Sequence, residues 1–96
     1  MDSGKSPLHR GLLDYFPRAC LAVAEVSAKG ADKYTWKGWE SVPDGVQRYA
    51  DAGARHITYE AMEGPYDSQS GQLHKAHKAW NALAELELYL TEQENK

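Results

Sequence analysis

The chain has 96 residues, of which 42% are hydrophobic, and its formal net charge at pH 7 is -3. This length fits one domain whose small core would benefit from a partner subunit. The negative charge argues against a binder of long nucleic acids, which needs a basic face, and the single cysteine excludes a disulfide framework.

Residues 1–16 are predicted to be a flexible N-terminal tail followed by a short irregular segment. The first six residues are small and polar, and a short apolar patch follows between residues 12 and 16. The N-terminus lacks the apolar stretch of a signal peptide, and no apolar run reaches the roughly 18 residues of a membrane span. We therefore expect a cytoplasmic protein without a membrane partner.

A first helix is predicted to begin at Pro17, because the missing N–H of proline costs nothing in the first turn. Mostly small residues recur on one of its faces, which lets a second helix approach closely. The following loop, residues 34–42, contains Trp36 and Trp39. These indoles either fasten the loop to the helices or offer a flat surface to a base or ring.

The second helix is predicted to follow Pro43, with Asp44 as its N-cap. Helical spacing assigns one apolar contact face to Val46, Tyr49, Ala50, Gly53 and Ile57. A glycine inside a helix costs roughly 1 kcal/mol against alanine, so Gly53 indicates a close helix crossing. His56 lies at the edge of this face.

A third helix is predicted after the loop of residues 64–71, and it extends to about Gln93. The face formed by His77, Asn81, Ala84 and Leu88 is polar at its start and apolar at its end. The predicted fold is all-α, a small helical bundle of three main helices with a tryptophan-containing loop. We expect the helical domain to cover residues 17–93 and oligomerisation to complete it.

Several polar residues of the second and third helices and their loop are candidate site residues: Asp51, Arg55, His56, Asp67, His74, His77 and Asn81. Histidines three residues apart on a helix can share a metal ion with a carboxylate. Alternatively, an arginine fork binds phosphate while imidazole and amide groups contact a base or sugar. A third alternative is structural, in which His77 and Asn81 bond buried backbone or loop groups.

The motifs of residues 17–90 resemble a phage family, the N-terminal domains of dATP/dGTP diphosphohydrolases. The similar stretches are AEVSAKGADKY, the tryptophan loop, RYADAGARH and YDSQSGQLHKAHKAWNALAELEL. Their most specific residues are Lys33 and Tyr34 with Trp36 or Trp39, the pair Arg55 and His56, and Asp67, Ser70, Gly71, His74 and His77. The resemblance implies an all-α, nucleotide-handling domain, similar in outline to MazG-type pyrophosphohydrolases.

MazG-type enzymes use acidic residues to hold Mg²⁺ against phosphates. Their pattern of E-x-x-E followed by E-x-x-D is absent here. The first hypothesis is therefore hydrolysis of purine deoxynucleoside triphosphates with Mg²⁺, Mn²⁺ or Co²⁺ on a different set of ligands. It assigns catalysis to His56 and His77, substrate binding to Arg55, Trp36, Trp39, Lys33 and Asn81, and metal binding to Asp51, Asp67 and His74.

Two other functions remain open from the sequence. A binding protein without turnover would sequester a purine nucleotide used as a signal by host immunity, and the missing acidic pattern favours it. A protein–protein inhibitor of a host enzyme is compatible with the acidic charge and the Ala- and Leu-rich helix faces.

Overall fold

The computed structural model describes residues 5–33 and 35–95. Three α-helices form the fold: α1 (Pro17–Lys33), α2 (Gly45–Glu63) and α3 (His74–Glu94). The described residues contain no β-strand, so the predicted all-α architecture with three main helices is confirmed. Within these residues, no helix combines the length and the apolar composition that crossing a membrane requires.

Two short helical turns flank α1. The first is a π-helical turn, His9–Leu13, whose residues are exposed, in the segment predicted to be irregular. α1 begins at Pro17, as predicted, and passes through Gly30 without interruption. The second is a 3-10 turn, Gly38–Ser41, in the tryptophan loop. Residues 1–4 of the predicted tail, and Tyr34 at the predicted end of the first helix, lie outside the described residues.

α2 and α3 form an antiparallel pair. Contacts run from one end of the pair to the other, joining Gly45 with Leu88, Gly53 with Asn81, His56 with His77, and Glu63 with His74. The third-helix face predicted from its spacing is therefore the face that packs on α2. A methyl group added at Gly53 would lie 3.5 Å from Asn81 Cβ, which is an ordinary contact. The crossing is close, but it does not require glycine.

One local prediction about α2 is wrong, and another is confirmed in position but not in its side-chain bond. Ile57 is 56% exposed, because the face that contacts α3 passes from Gly53 to His56 and Glu63. Asp44 occupies the N-cap position as predicted, but its backbone has the left-handed conformation with φ 55° and its side chain makes no capping bond. Its backbone carbonyl nevertheless accepts the hydrogen bond from Arg48 N at 3.0 Å.

α1 packs against α3, and aromatic rings fill the junction with the tryptophan loop. Trp80 Nε1 donates to Ser27 Oγ at 2.8 Å. The rings of Trp39, Tyr49 and Trp80 meet edge to face, and the Tyr49 hydroxyl donates to the Trp39 carbonyl at 2.7 Å. Trp39 therefore fastens the loop to the helices, the first of the two alternatives that the sequence left open.

Candidate functional site

His74 is the largest fully buried side chain among the described residues, with 1% of its surface exposed. Its Nε2 lies 2.6 Å from Glu63 Oε1, and its Nδ1 lies 2.9 Å from His56 Nδ1. The hydrogen bond from His74, followed by that from the Ser68 backbone, lowers the pKa of Glu63. The ionised Glu63 carboxylate can only accept, so we assign a proton to His74 Nε2. The other ring nitrogen, Nδ1, is then directed at His56 Nδ1.

Asp67, Ser70 and His77 form a second group beside the first. His77 Nε2 lies 2.7 Å from Ser70 Oγ and 3.8 Å from Asp67 Oδ2, while Ser70 N donates to Asp67 Oδ2 at 3.0 Å. Burial raises the pKa of Asp67, but hydrogen bonds from Ser70 and the nearby His77 outweigh it and lower that pKa. Asp67 is therefore ionised at neutral pH.

Stacking of two imidazoles joins the groups into one histidine cluster, which consists of His56, Asp67, His74 and His77. The rings of His56 and His77 are 4.4 Å apart and inclined by 5°. Burial lowers the pKa of both imidazoles, neighbouring histidines lower it further, and Asp67 partly opposes the shift. Both rings are consequently neutral at pH 7, the state in which imidazole binds metals or accepts protons.

The loop of residues 64–73 positions Asp67 and Ser70 for this cluster. Gly64 and Gly71 have φ values of 97° and 74°, a region that glycine adopts without strain. Asp67 N donates to Gln72 O at 2.8 Å, and an isolated antiparallel bridge joins Tyr66 to Leu73. The loop is thus closed on itself, and backbone hydrogen bonds fix where its polar side chains point.

The donor set fits a divalent ion that favours imidazole. One ligand atom each from His56, Asp67 and His74 lies within 4.8 Å of the others. Two ligands at right angles, with metal bonds of about 2.1 Å, are about 3.0 Å apart, close to the 2.9 Å between the two Nδ1 atoms. Glu63 also bonds the far nitrogen of His74, as carboxylates do for metal-binding histidines. The same 2.9 Å suits an N–H···N hydrogen bond, so the geometry fits the network with or without an ion.

Four of the candidates from the sequence therefore come together in the cluster. Asn81, 6% exposed, lies one turn below and donates Nδ2 to the His77 carbonyl at 2.8 Å, as the structural alternative predicted. Arg55 is exposed on α2, and its charge contributes to the lowered pKa of His56, which places it within electrostatic reach.

The other candidates are not brought into the cluster. Asp51 is exposed and accepts a hydrogen bond from Gln47 Nε2 at 3.0 Å. Trp39 belongs to the aromatic junction, and Trp36 is 71% exposed. Lys33 lies exposed in the last turn of α1.

Sequence reasoning missed Glu63 and Lys29. His56, Glu60 and Glu63 follow i, i+4, i+7 spacing on α2, and Glu60 and Glu63 form an E-x-x-E pair without the E-x-x-D that would follow it. This spacing was the available signal for Glu63. Lys29 Nζ donates to the Ser70 carbonyl at 2.6 Å, and its charge helps lower the pKa of His77. No sequence pattern indicated that contact between α1 and the distant loop.

Comparison with known proteins gives a family for this chain. The family described as "dATP/dGTP diphosphohydrolase, N-terminal" matches residues 1–96. A Salmonella phage PMBT28 protein named dATP/dGTP diphosphohydrolase is 36% identical over 78 residues, which cover 81% of this chain and 25% of that protein. The chain therefore matches only about a quarter of the length of this relative. No solved structure matches the chain.

Proposed function

Because this chain belongs to the dATP/dGTP diphosphohydrolase N-terminal family, we propose that it is a phage protein that handles purine nucleotides at the histidine cluster. The proposed reaction is metal-dependent hydrolysis of dATP and dGTP to monophosphate and pyrophosphate. The observation that carries the proposal is the convergence of ligand atoms from His56, Asp67 and His74 within 4.8 Å. Neither the composition of the chain nor the packing of α2 on α3 requires two imidazoles and a carboxylate to lie this close together.

The residues divide into ligands and a proton acceptor. His56, Asp67 and His74 would hold the ion, a change from the sequence-based assignment in which Asp51 was a ligand and His56 catalytic. When bound, a divalent ion would supply the charge neutralisation that a triphosphate needs before water attacks. His77 remains for proton transfer, since its Nε2 lies beside Ser70 Oγ and burial keeps the ring neutral at pH 7.

Cations near the cluster support an anionic substrate. Arg55 and Lys29 act electrostatically on His56 and His77 from α2 and α1 respectively. We assign Arg55 to the phosphates, because its guanidinium group binds them as a fork. Of the two tryptophans, Trp36 has the more open indole, so it is the better candidate for stacking on the base.

A direct assay tests the hydrolysis proposal. The purified chain is incubated with dATP or dGTP and Mg²⁺, Mn²⁺ or Co²⁺, and the products are separated by ion-exchange chromatography. We expect monophosphate and pyrophosphate, and we expect Asp67→Asn to abolish them. The control is His9→Asn, which changes an exposed histidine of the N-terminal turn. Intact dATP and dGTP with all three ions would exclude hydrolysis.

One observation favours binding without turnover as the second candidate. Among the described residues, the cluster contains one carboxylate, Asp67, while the adjacent Glu63 is engaged by His74. Such a site would sequester a host signalling nucleotide instead of cleaving it. Calorimetry would then detect binding, and heat denaturation of the complex would release the nucleotide chemically unchanged. Absence of binding to linear and cyclic purine nucleotides would exclude this function.

A further inference from the structure

An apolar groove lies between α1 and α3, on a part of the molecule that the proposed nucleotide chemistry does not use. It has a volume of about 340 Å³, and its apolar lining includes Val23, Trp39, Trp80, Leu83, Leu86 and Leu90. The three leucines follow helical i, i+3, i+7 spacing on α3 and are 53%, 52% and 50% exposed. We call this surface the leucine face.

The chain exposes more surface than a folded protein of its mass normally does. Its accessible surface is 7521 Å², whereas a folded monomer of 10.7 kDa exposes about 5,500 Å². Its radius of gyration is 14.7 Å, against about 12.5 Å for a compact domain of this length. This excess of roughly 2,000 Å², to which the exposed residues 5–16 contribute, is larger than the about 800 Å² that each partner contributes to a stable interface.

We propose that the leucine face binds the same face of a second copy of this chain. A two-fold dimer pairs one surface with itself, so the surface must offer both a ridge and a groove. The leucine face offers both, because the α3 leucines project beside the groove that they help to line. In the dimer, the leucines of each copy would enter the groove of the other.

The chemistry of the groove argues against a nucleotide in this place. Its lining contains no lysine or arginine, and its charged member is Glu87, which repels phosphate. The Ser27 hydroxyl, the polar group nearest its indole wall, already accepts a hydrogen bond from Trp80. An apolar partner surface therefore fits the groove better than an anionic ligand.

Sedimentation velocity of the full 96-residue chain between about 1 and 100 μM tests this proposal. We expect the wild type to sediment as a dimer, and we expect Leu86→Glu with Leu90→Glu to raise the dissociation constant roughly 100-fold or more. Met62→Glu is the matched control, because Met62 is 77% exposed on α2, outside the leucine face. A monomeric wild type at 100 μM, or a dimer that the Met62 variant breaks and the double variant does not, would overturn the proposal.

Cross-linking provides a second measurement. It does not require the fold to accept a glutamate in place of a partly buried leucine. In a Cys20→Ser background, a flexible bifunctional maleimide should join Leu86→Cys between the two chains, whereas it should not join Met62→Cys. Equal cross-linking at both positions would indicate random collision and would contradict the proposed face.

Discussion

The two ends of the α2–α3 pair differ in how completely their side chains are packed and hydrogen-bonded. At the loop end, a buried histidine is bonded on both ring nitrogens and its neighbours are bonded in turn. At the other end, the α3 leucines remain about half exposed. The polar network is satisfied within one chain, while the apolar surface is not. The difference shows that the side chains of the histidine cluster are fixed by hydrogen bonds within the chain, whereas the α3 leucines are only partly buried by it.

This distribution is unusual because buried polar groups stabilise a fold less than apolar packing does. The buried hydrophobic side chains of the described residues are Val26, Ala76 and Ala84, and all are small or medium in size. A polar group in the interior costs free energy unless it is hydrogen-bonded, so the cluster must be held in one geometry. A binding site requires imidazole and carboxylate groups that are fixed in position in this way.

After the loss of activity expected for Asp67→Asn, the largest effect is expected from His77→Gln. If His77 accepts a proton during hydrolysis, the substitution should lower kcat by roughly 100- to 10,000-fold while the helical circular dichroism is retained. Steady-state kinetics with dATP and dGTP measures the change. Retention of kcat within threefold would show that His77 has a structural role. The loop end would then differ from the leucine face only in how its side chains pack, and not in catalysis.

A smaller effect is expected from Glu63→Gln, which tests whether the polar network supports a metal. A carboxylate behind a metal-binding histidine typically contributes about 10- to 100-fold to affinity, so calorimetric titration with Mn²⁺ or Co²⁺ should show that loss. Glu60→Gln is the control, since Glu60 lies one turn away on α2 and pairs with Lys75 instead. Equal losses in both variants would argue for a general charge effect.

The sequence predicted the helices and the face by which α3 packs on α2, because periodicity reports directly which residues share a face. His77, Asn81 and Leu88 were assigned to one face, and each meets a residue of α2. Asp51 was wrongly grouped with the cluster. It precedes His56 by five residues, which places the two side chains about 140° apart around the helix, on different faces. The Lys29 contact with Ser70 was beyond prediction, because it depends on how α1 lies against a loop 41 residues away.

The pH dependence of stability should follow the two stacked imidazoles. The pKa values of His56 and His77 lie below the ordinary 6.5 in the folded chain, so the unfolded chain binds more protons as the pH falls. Their contribution to the free energy of unfolding is therefore complete above about pH 7.5 and is lost as the pH drops below 6.5. Thermal unfolding at several pH values above 5.5 measures this loss without titrating the carboxylates.

The control variants separate these imidazoles from the rest of the chain. His56→Asn with His77→Asn should flatten the pH dependence, whereas His9→Asn should leave it unchanged. An equally steep dependence in the double variant would mean that other groups cause it.

The smallest effect concerns two glycines, one on open α1 and one on the packed α2–α3 pair. A methyl group at Gly30 would meet no atom within 4 Å, so Gly30→Ala should raise the free energy of unfolding by about 1 kcal/mol through helix propensity. A methyl group at Gly45 would lie 2.5 Å from Leu88 Cδ1, the end of a flexible side chain that must move aside, so Gly45→Ala should stabilise the chain less than Gly30→Ala does. Urea denaturation of both variants measures the difference. If Gly30→Ala were destabilising in the dimer but not in the Leu86→Glu, Leu90→Glu monomer, Gly30 would itself lie against the second copy, and the interface would extend along α1.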